Sequence, residues 1–334
     1  AHPYWLSAQW TQILADAIKW TAGDYRAITK IAATKRVTDP TKAIPMDLLL
    51  NADSMTGDEF TKRLNEARTN VVDAQSASTL IQACADNSLK IMDKDLLQSI
   101  VEEMAPYIDD SFAPLAEKLL ALKLDYFRVA GFTLLRHCSS PQSRTLMENG
   151  LRESDPLMVR EALAALAHSK DPAAIPAIKA YLAKGGVERL LAMTALRKMG
   201  DTIDMNASLA EYVKDFNRVT ALMAYRKSLF ERLHGGTSFK LTPAERRGYE
   251  REFVRAKRKE AEAIFDVTQF RATLTKFTDP QAADFTQYVT QSDNRAAASI
   301  AFAALPNLSD GQSKKFRESI AQAKLPQLRM LAEK

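Results

Sequence analysis

Four arginines stand at Arg247, Arg251, Arg255 and Arg258, separated by steps of four, four and three residues. On an α-helix such steps keep the side chains in one sector of the surface, so four guanidinium groups line one side. Guanidinium is permanently charged and presents planar N–H donors that match carboxylate and phosphate, so this is chemistry for gripping anions. Between Lys240 and Lys259 there are eight Lys or Arg against three Glu, a local surplus of +5 that equals the formal net charge of all 334 residues. Extended to Asp266, the count becomes eight against six and the surplus dilutes. Two occupants suit the stripe, an acidic protein surface or the phosphates of a nucleic acid. The alternative is a solvated helix face carrying intrahelical pairs such as Arg246 with Glu250 and Arg258 with Glu262. A second group suited to docking is aromatic. Trp5, Trp10 and Trp20 are the three tryptophans of the chain, and Tyr4 stands beside the first. Tyr4 and Trp5 are candidate interface anchors, while Trp10, Ile13, Leu14, Ala17 and Ile18 suit the inner face of a helix that covers an exposed end of the fold.

Residues that could make or break bonds are sparse. His137 and His168 occupy matching places in successive helical patterns, with Cys138 beside the first, and imidazole and thiolate are good metal ligands. Each histidine, however, falls in the last turn of its pattern, where a donor or cation favours the terminal carbonyls. Lys198 takes the same place in the next pattern, no fourth ligand is in sight and no zinc-type spacing occurs, so no metal is expected. His234-Gly235-Gly236 has no G-x-S-x-G elbow to serve and reads as a connection. No phosphate-binding loop, dinucleotide fingerprint or H-E-x-x-H is present. Glu102-Glu103 and Asp109-Asp110 are paired carboxylates expected at helix surfaces or turns. No catalytic residue and no cofactor are expected, and the chain reads as non-enzymatic.

The elements that must hold the arginines are helices. Thr242-Pro243-Ala244-Glu245 is a capping box with proline inside its start, opening a helix expected to run to about Lys276. Tyr249, Phe253, Ala256, Ile264, Phe270 and Leu274 form its apolar face, interrupted by Glu260, with the arginines on the opposite side. Before it, short stretches can be superposed at a period near thirty. Leu135, Leu166, Leu196 and Tyr225 mark that period, each interval within a residue or so of the last. In the clearest stretch, Leu190, Leu191, Met193, Ala195, Leu196 and Met199 recur at spacings of three and four, and Gly200 supplies a stop. Further stripes are expected at Leu146 to Leu151, Ile175 to Leu182, Leu209 to Val213, Phe285 to Val289 and Phe316 to Ile320. Asp-Pro at residues 39, 155, 171 and 279 marks turns, since the carboxylate caps free N–H groups and proline tolerates the first helical position.

Two short antiparallel helices per unit, small residues where helices cross and Asp at the turn resemble the HEAT-repeat family, well over Tyr126 to Lys227 and more loosely over Phe270 to Leu325. The resemblance implies an all-α, right-handed α-solenoid of stacked antiparallel helix pairs, with one longer helix inserted between two repeat blocks. It implies extended curved surfaces used to bind partners. A family of DNA glycosylases shares the HEAT-like fold and holds DNA in a groove of several basic layers. Here the repeat helices carry isolated basic residues such as Arg160, Arg189 and Arg218, and that pattern is not met. The expected organisation is a helical region over 1–114 (degenerate repeats or a cap), HEAT-like repeats over 115–233, a loop and the basic helix over 234–277, and further HEAT-like repeats over 278–334.

Composition agrees with helices. Eleven Gly and 13 Pro leave little room for the turns of an all-β fold, and 46% apolar residues suffice for a sizeable core. No stretch approaches the roughly 18 consecutive apolar residues that a bilayer span needs. Cys84 and Cys138 lie nearly two repeat periods apart and read as separate buried thiols. The start, Ala1-His2-Pro3 without Met, fits a trimmed chain as well as one released from a bacterial export signal. It leans the expectation toward the periplasm, with the cytoplasm as alternative. The expected function is a scaffold or adaptor that binds a protein partner through a curved helical-repeat surface and the basic helix, with contacts centred on Arg247, Arg251, Arg255 and Arg258 and with Tyr4 and Trp5 as second anchors; an acidic partner surface would suit the arginines. The alternative is a nucleic-acid-binding protein that sets the same stripe on phosphates.

Overall fold

The computed structural model describes residues 42–46, 50, 56–87, 96–201, 203–234, 241–274 and 277–332. Fifteen α-helices joined by short 3-10 turns and loops, and no strand, are found among the described residues, so the fold is all-α. None of these helices is long and apolar enough to cross a membrane. The chain divides into two compact units, Ala1–Met147 and Glu148–Lys334.

In the first unit, α1 (Gly57–Thr69), α2 (Ala74–Asp86), α3 (Leu96–Met104), α4 (Ala113–Leu120) and α5 (Asp125–Leu135) are each too short to persist alone in water. Their ends are set locally. Thr56 and Glu59 close a capping box on α1, and Asp73 and Ser76 do the same on α2. Their persistence comes from packing. Helix α5 meets α3 and α4, and α2 meets both of those. Every residue of α5 from Ala130 to Leu135 is buried, the mark of a central helix. A Cβ at Gly131 would lie 3.1 Å from the Ala116 carbonyl oxygen, so glycine lets α5 approach α4 closely. Glu103, expected on a helix surface, instead faces inward on α3, where Arg68 of α1 donates to it at 2.6 Å. Glu102 next to it accepts from Gln98 at 3.1 Å. Helix α6 (Pro141–Gly150) carries the division between the units.

The second unit contains α7 (Pro156–Ser169), α8 (Ile175–Ala183), α9 (Arg189–Lys198), α10 (Met205–His234), α11 (Pro243–Ala272), α12 (Asp279–Gln291), α13 (Arg295–Ala304), α14 (Asp310–Ile320) and α15 (Pro326–Ala332). Asp155 caps α7 through the amide of Leu157, as the Asp-Pro pattern requires. At α12 the cap is one residue earlier, because the Thr278 hydroxyl accepts from Gln281 and leaves Asp279 as the first helical residue. Gly200, at φ +82°, ends α9. Its amide donates to Arg197 and that of Asp201 to Leu196, both at 3.0 Å, the paired bonds that close a helix on a left-handed residue. Helices α7 and α9 pack on each other with Leu166 and Leu196 both buried.

Helix α10 departs from the sequence reading. The Leu209 to Val213 stripe and the Tyr225 position belong to one continuous helix of 30 residues, and His234 is its last residue rather than part of a loop. Nothing between Met205 and His234 breaks a helix, since the segment has neither Gly nor Pro. Tyr225 is 44% exposed, whereas Leu135, Leu166 and Leu196 are buried, so the fourth superposed position differs from the other three. Helix α11 ends at Ala272, short of Lys276, and Leu274 follows it as a buried residue of the turn.

Together α10 and α11 make a long antiparallel hairpin, each arm about 45 Å at 1.5 Å per residue. The halves near the turn-free ends are embedded. Leu209, Tyr212 and Val219 of α10 and Ala263, Val267 and Phe270 of α11 share one core with α12 to α15, where Phe285 stacks on Phe316 and Tyr212 meets Phe270. Toward the other end burial thins to Leu229 and Ala256.

Candidate partner interface

Helix α11 presents the arginine stripe from a well-defined start. The Thr242 hydroxyl accepts from the Glu245 amide, and the Glu245 carboxylate accepts from the Thr242 amide at 2.8 Å and from its hydroxyl at 2.7 Å. Those bonds hold the Glu245 carboxyl below its ordinary range. Beyond the cap, Ala256, Glu260, Ala263, Val267 and Phe270 turn inward. Arg247, Arg251, Arg255 and Arg258 all turn outward and are exposed.

The pairs expected along the helix are present. Arg246 meets Glu250 at 3.3 Å and Arg258 meets Glu262 at 3.1 Å, while Arg255 approaches Glu252 at 3.8 Å. These contacts are solvent-exposed and weak, so they leave the guanidinium groups available to a stronger anion. Among the described residues, neither Arg247 nor Arg251 has a hydrogen-bonding or ionic partner. In the outer half of the hairpin, residues 219–234 and 242–259 carry ten Lys or Arg against four Glu, a surplus of +6. The remainder of the chain is therefore close to neutral.

The arms are joined by polar rungs. Tyr225 donates to Glu252 at 3.2 Å, and Arg232 donates to the Tyr249 hydroxyl at 3.1 Å with its guanidinium over that ring. A further rung explains the interruption in the apolar face. Glu260, buried on the inner side of α11, takes two bonds from Arg226 of α10, at 2.6 and 3.3 Å. Phe230 stacks on His234 and leans toward Phe253, yet stays 49% exposed.

A second, denser polar cluster fixes the embedded end. Arg160 of α7 grips Asp266 of α11 with two bonds, at 2.5 and 2.9 Å, and reaches Glu188 at 2.9 Å. Arg189 meets Glu211 at 2.7 Å, and Arg218 lies 4.0 Å from Asp215. Burial pushes the Asp266 carboxyl up to about 6, because Arg160 lowers it less than desolvation and the nearby Glu188 and Asp215 raise it. Burial also raises Asp215, opposed by Arg218 and reinforced by Glu188 and Glu211. Arg160 loses by its own burial, but two facing carboxylates outweigh that and keep it charged. Arg197 and Lys198 of α9 add bonds to Thr273 and Gln269, at 3.1 and 2.7 Å. The hairpin is thus clamped from α7 and α9.

The sequence placed the four arginines on one exposed face, and the structure brings them together there. Tyr4 and Trp5 lie outside the described residues, as do Trp10 and Trp20. Arg160, Arg189 and Arg218 are not isolated, since all three enter the clamp. Their equal spacing along the chain was a signal available for grouping them. The exposed apolar residues of the hairpin, Val254 and Phe265 on the arginine side of α11, also escaped the sequence reading. Four of the nine large apolar side chains exposed among the described residues stand on α10 and α11.

Other candidate chemistry resolves into structure. Cys84 and Cys138 are buried free thiols, and burial pushes them up to about 12 and about 11, which makes them inert as nucleophiles. The Cys138 thiol donates to the Asp109 carbonyl at 3.2 Å. The Asp109 carboxylate caps a 3-10 turn, and the Asp110 carboxylate accepts from the amides of Ser139 and Ser140 at 2.6 and 2.8 Å. His168 stands in the last turn of α7, and His137 lies just beyond α5. Among the described residues no group of three or more His, Cys, Asp or Glu is arranged to hold a metal ion. An open recess of about 540 Å³ is lined by Arg152, Tyr181, Lys184 and Gly186 among others. Its one phenol accepts from the Glu188 amide at 3.0 Å, so Tyr181 there braces the loop before α9.

Comparison with protein-family models, with curated proteins and with solved structures yields no match.

Proposed function

We propose that this protein is a non-enzymatic adaptor, built on a HEAT-like α-solenoid, that binds an acidic protein partner through the outer half of the α10–α11 hairpin. The observation that carries this reading is the exposed row Arg247, Arg251, Arg255 and Arg258 on a helix whose other side is locked in place. A row of guanidinium groups carried on one face of an ordered helix recognises carboxylates with less ordering cost than a flexible basic tail. The succession α7, α8 and α9, with Leu166 and Leu196 buried where α7 meets α9, supports the repeat architecture.

The +6 surplus of the outer hairpin also suits nucleic-acid phosphates, and the two readings part on salt. Phosphate binding loses affinity steeply as salt rises, roughly one power of salt concentration per phosphate neutralised. The decisive experiment is capture of partners from the native source with the full chain and with R247E/R251E. An acidic protein should co-purify with the first and be lost with the second. Retention by R247E/R251E, or replacement of protein by nucleic acid with a steep salt slope, removes the acidic-partner reading.

A further inference from the structure

The arginine row is only part of what α11 shows outward. Counting from Arg247 in alternating steps of four and three residues gives Arg251, Val254, Arg258, Ala261 and Phe265. At about 100° per residue all six fall within roughly 40° of one line along the helix, about half a turn from the buried face. Val254 is 66% exposed and Phe265 is 49% exposed, while Arg247, Arg251, Arg258 and Ala261 are exposed as well. The alternation of fours and threes is the spacing with which one helix receives another along a shared seam. Arg255, a step to the side, flanks the line.

We propose that the partner element is an acidic amphipathic helix that lies along this line, its carboxylates on Arg247, Arg251 and Arg258 and its apolar side chains on Val254, Ala261 and Phe265. The inference rests on the acidic-partner reading and narrows it to one kind of secondary structure. Charge and apolar surface together select this occupant. Phosphates would use the arginines but leave Val254 and Phe265 in water. A second copy of the chain would bring one cationic row against another. A lipid surface needs an apolar sector flanked by basic residues, whereas here the arginines stand in the middle of the sector and would be carried into the hydrocarbon. The line runs about 27 Å, or five turns, long enough for a helix to engage all six positions.

The test uses the full chain and three probes. One is a synthetic helical peptide with Glu and Leu set to face the arginine and apolar positions. The second is its scrambled isomer, of the same composition but with no common face. The third is duplex DNA. The patterned peptide should bind at least about tenfold more tightly than the scrambled one, a difference of roughly 1.4 kcal/mol. V254S/F265S should reduce it to the level of the scrambled peptide, and R247E/R251E should abolish both. These positions are exposed, so unchanged thermal unfolding of the variants excludes misfolding as the cause. Equal binding of the two peptides, unaffected by V254S/F265S, overturns the seam while leaving an acidic partner in place. Binding of DNA alone overturns both, and binding of no probe overturns the seam, with partner capture deciding the broader reading by itself.

Discussion

At the scale of single residues, the instructive side chain is Asp266. Two short bonds from Arg160 favour its charged form, yet burial and the carboxylates of Glu188 and Asp215 hold it near 6. The groups facing it are the acids Glu188 and Asp215 and the buried base Arg160, while Arg218, Glu211 and Lys214 act on Asp215 in turn. An acid whose folded value lies above its unfolded value binds an extra proton in the folded state throughout the interval between the two. Its contribution to stability is therefore full below the unfolded value near 3.8 and is lost as pH rises through about 6. D266N fixes the side chain in a neutral form of similar shape. Thermal midpoints should show wild type gaining on D266N as pH falls from about 7 to about 5. A difference that stays constant across that range shows instead that Arg160 keeps Asp266 ionised throughout.

At the scale of elements, the start of α11 was legible in the sequence because every part of it is local. Thr242, Pro243 and Glu245 lie within four residues, and their bonds are those the capping box calls for. The pairs Arg246–Glu250 and Arg258–Glu262 were legible for the same reason. The length of α10 was hidden by the assumed thirty-residue register, which cut at Val213 a helix that contains no breaking residue. The clamp was hidden by distance, since Arg160 and Asp266 are 106 positions apart and neither has a local partner to betray it. Glu260 was seen only as a flaw in an apolar face, because its partner Arg226 comes from the other arm. The cap has a measurable consequence. T242A should cost about 1 kcal/mol and fray the first turn of α11. Amide exchange should accelerate at Glu245 and Arg246 and remain unchanged at Ala263 and Val267, whereas uniform acceleration along α11 would place its stability elsewhere than in the cap.

At the scale of the whole molecule, charge is unevenly spread, with the outer hairpin holding a surplus of +6 in a chain of net +5. Attraction of an acidic partner by net charge alone and by the arginine row can be separated. R247E/R251E and R152E/K184E each lower the net charge from +5 to +1, since every reversal removes two units. Association rates measured at matched salt should fall sharply for the first pair and little for the second, whose residues line the recess at α8 rather than the arginine row. Equal losses would assign the effect to overall charge. The rung at Glu260 bears on the same question. Two helices held by apolar contact alone can slide past each other by a turn, about 5.4 Å, with modest penalty. Such a slip here would strand the Glu260 carboxylate in the interior without Arg226. One buried acid thus acts as a detent that sets the register of α11 along α10, and the height at which a visitor meets each positive and greasy knob is decided before it arrives.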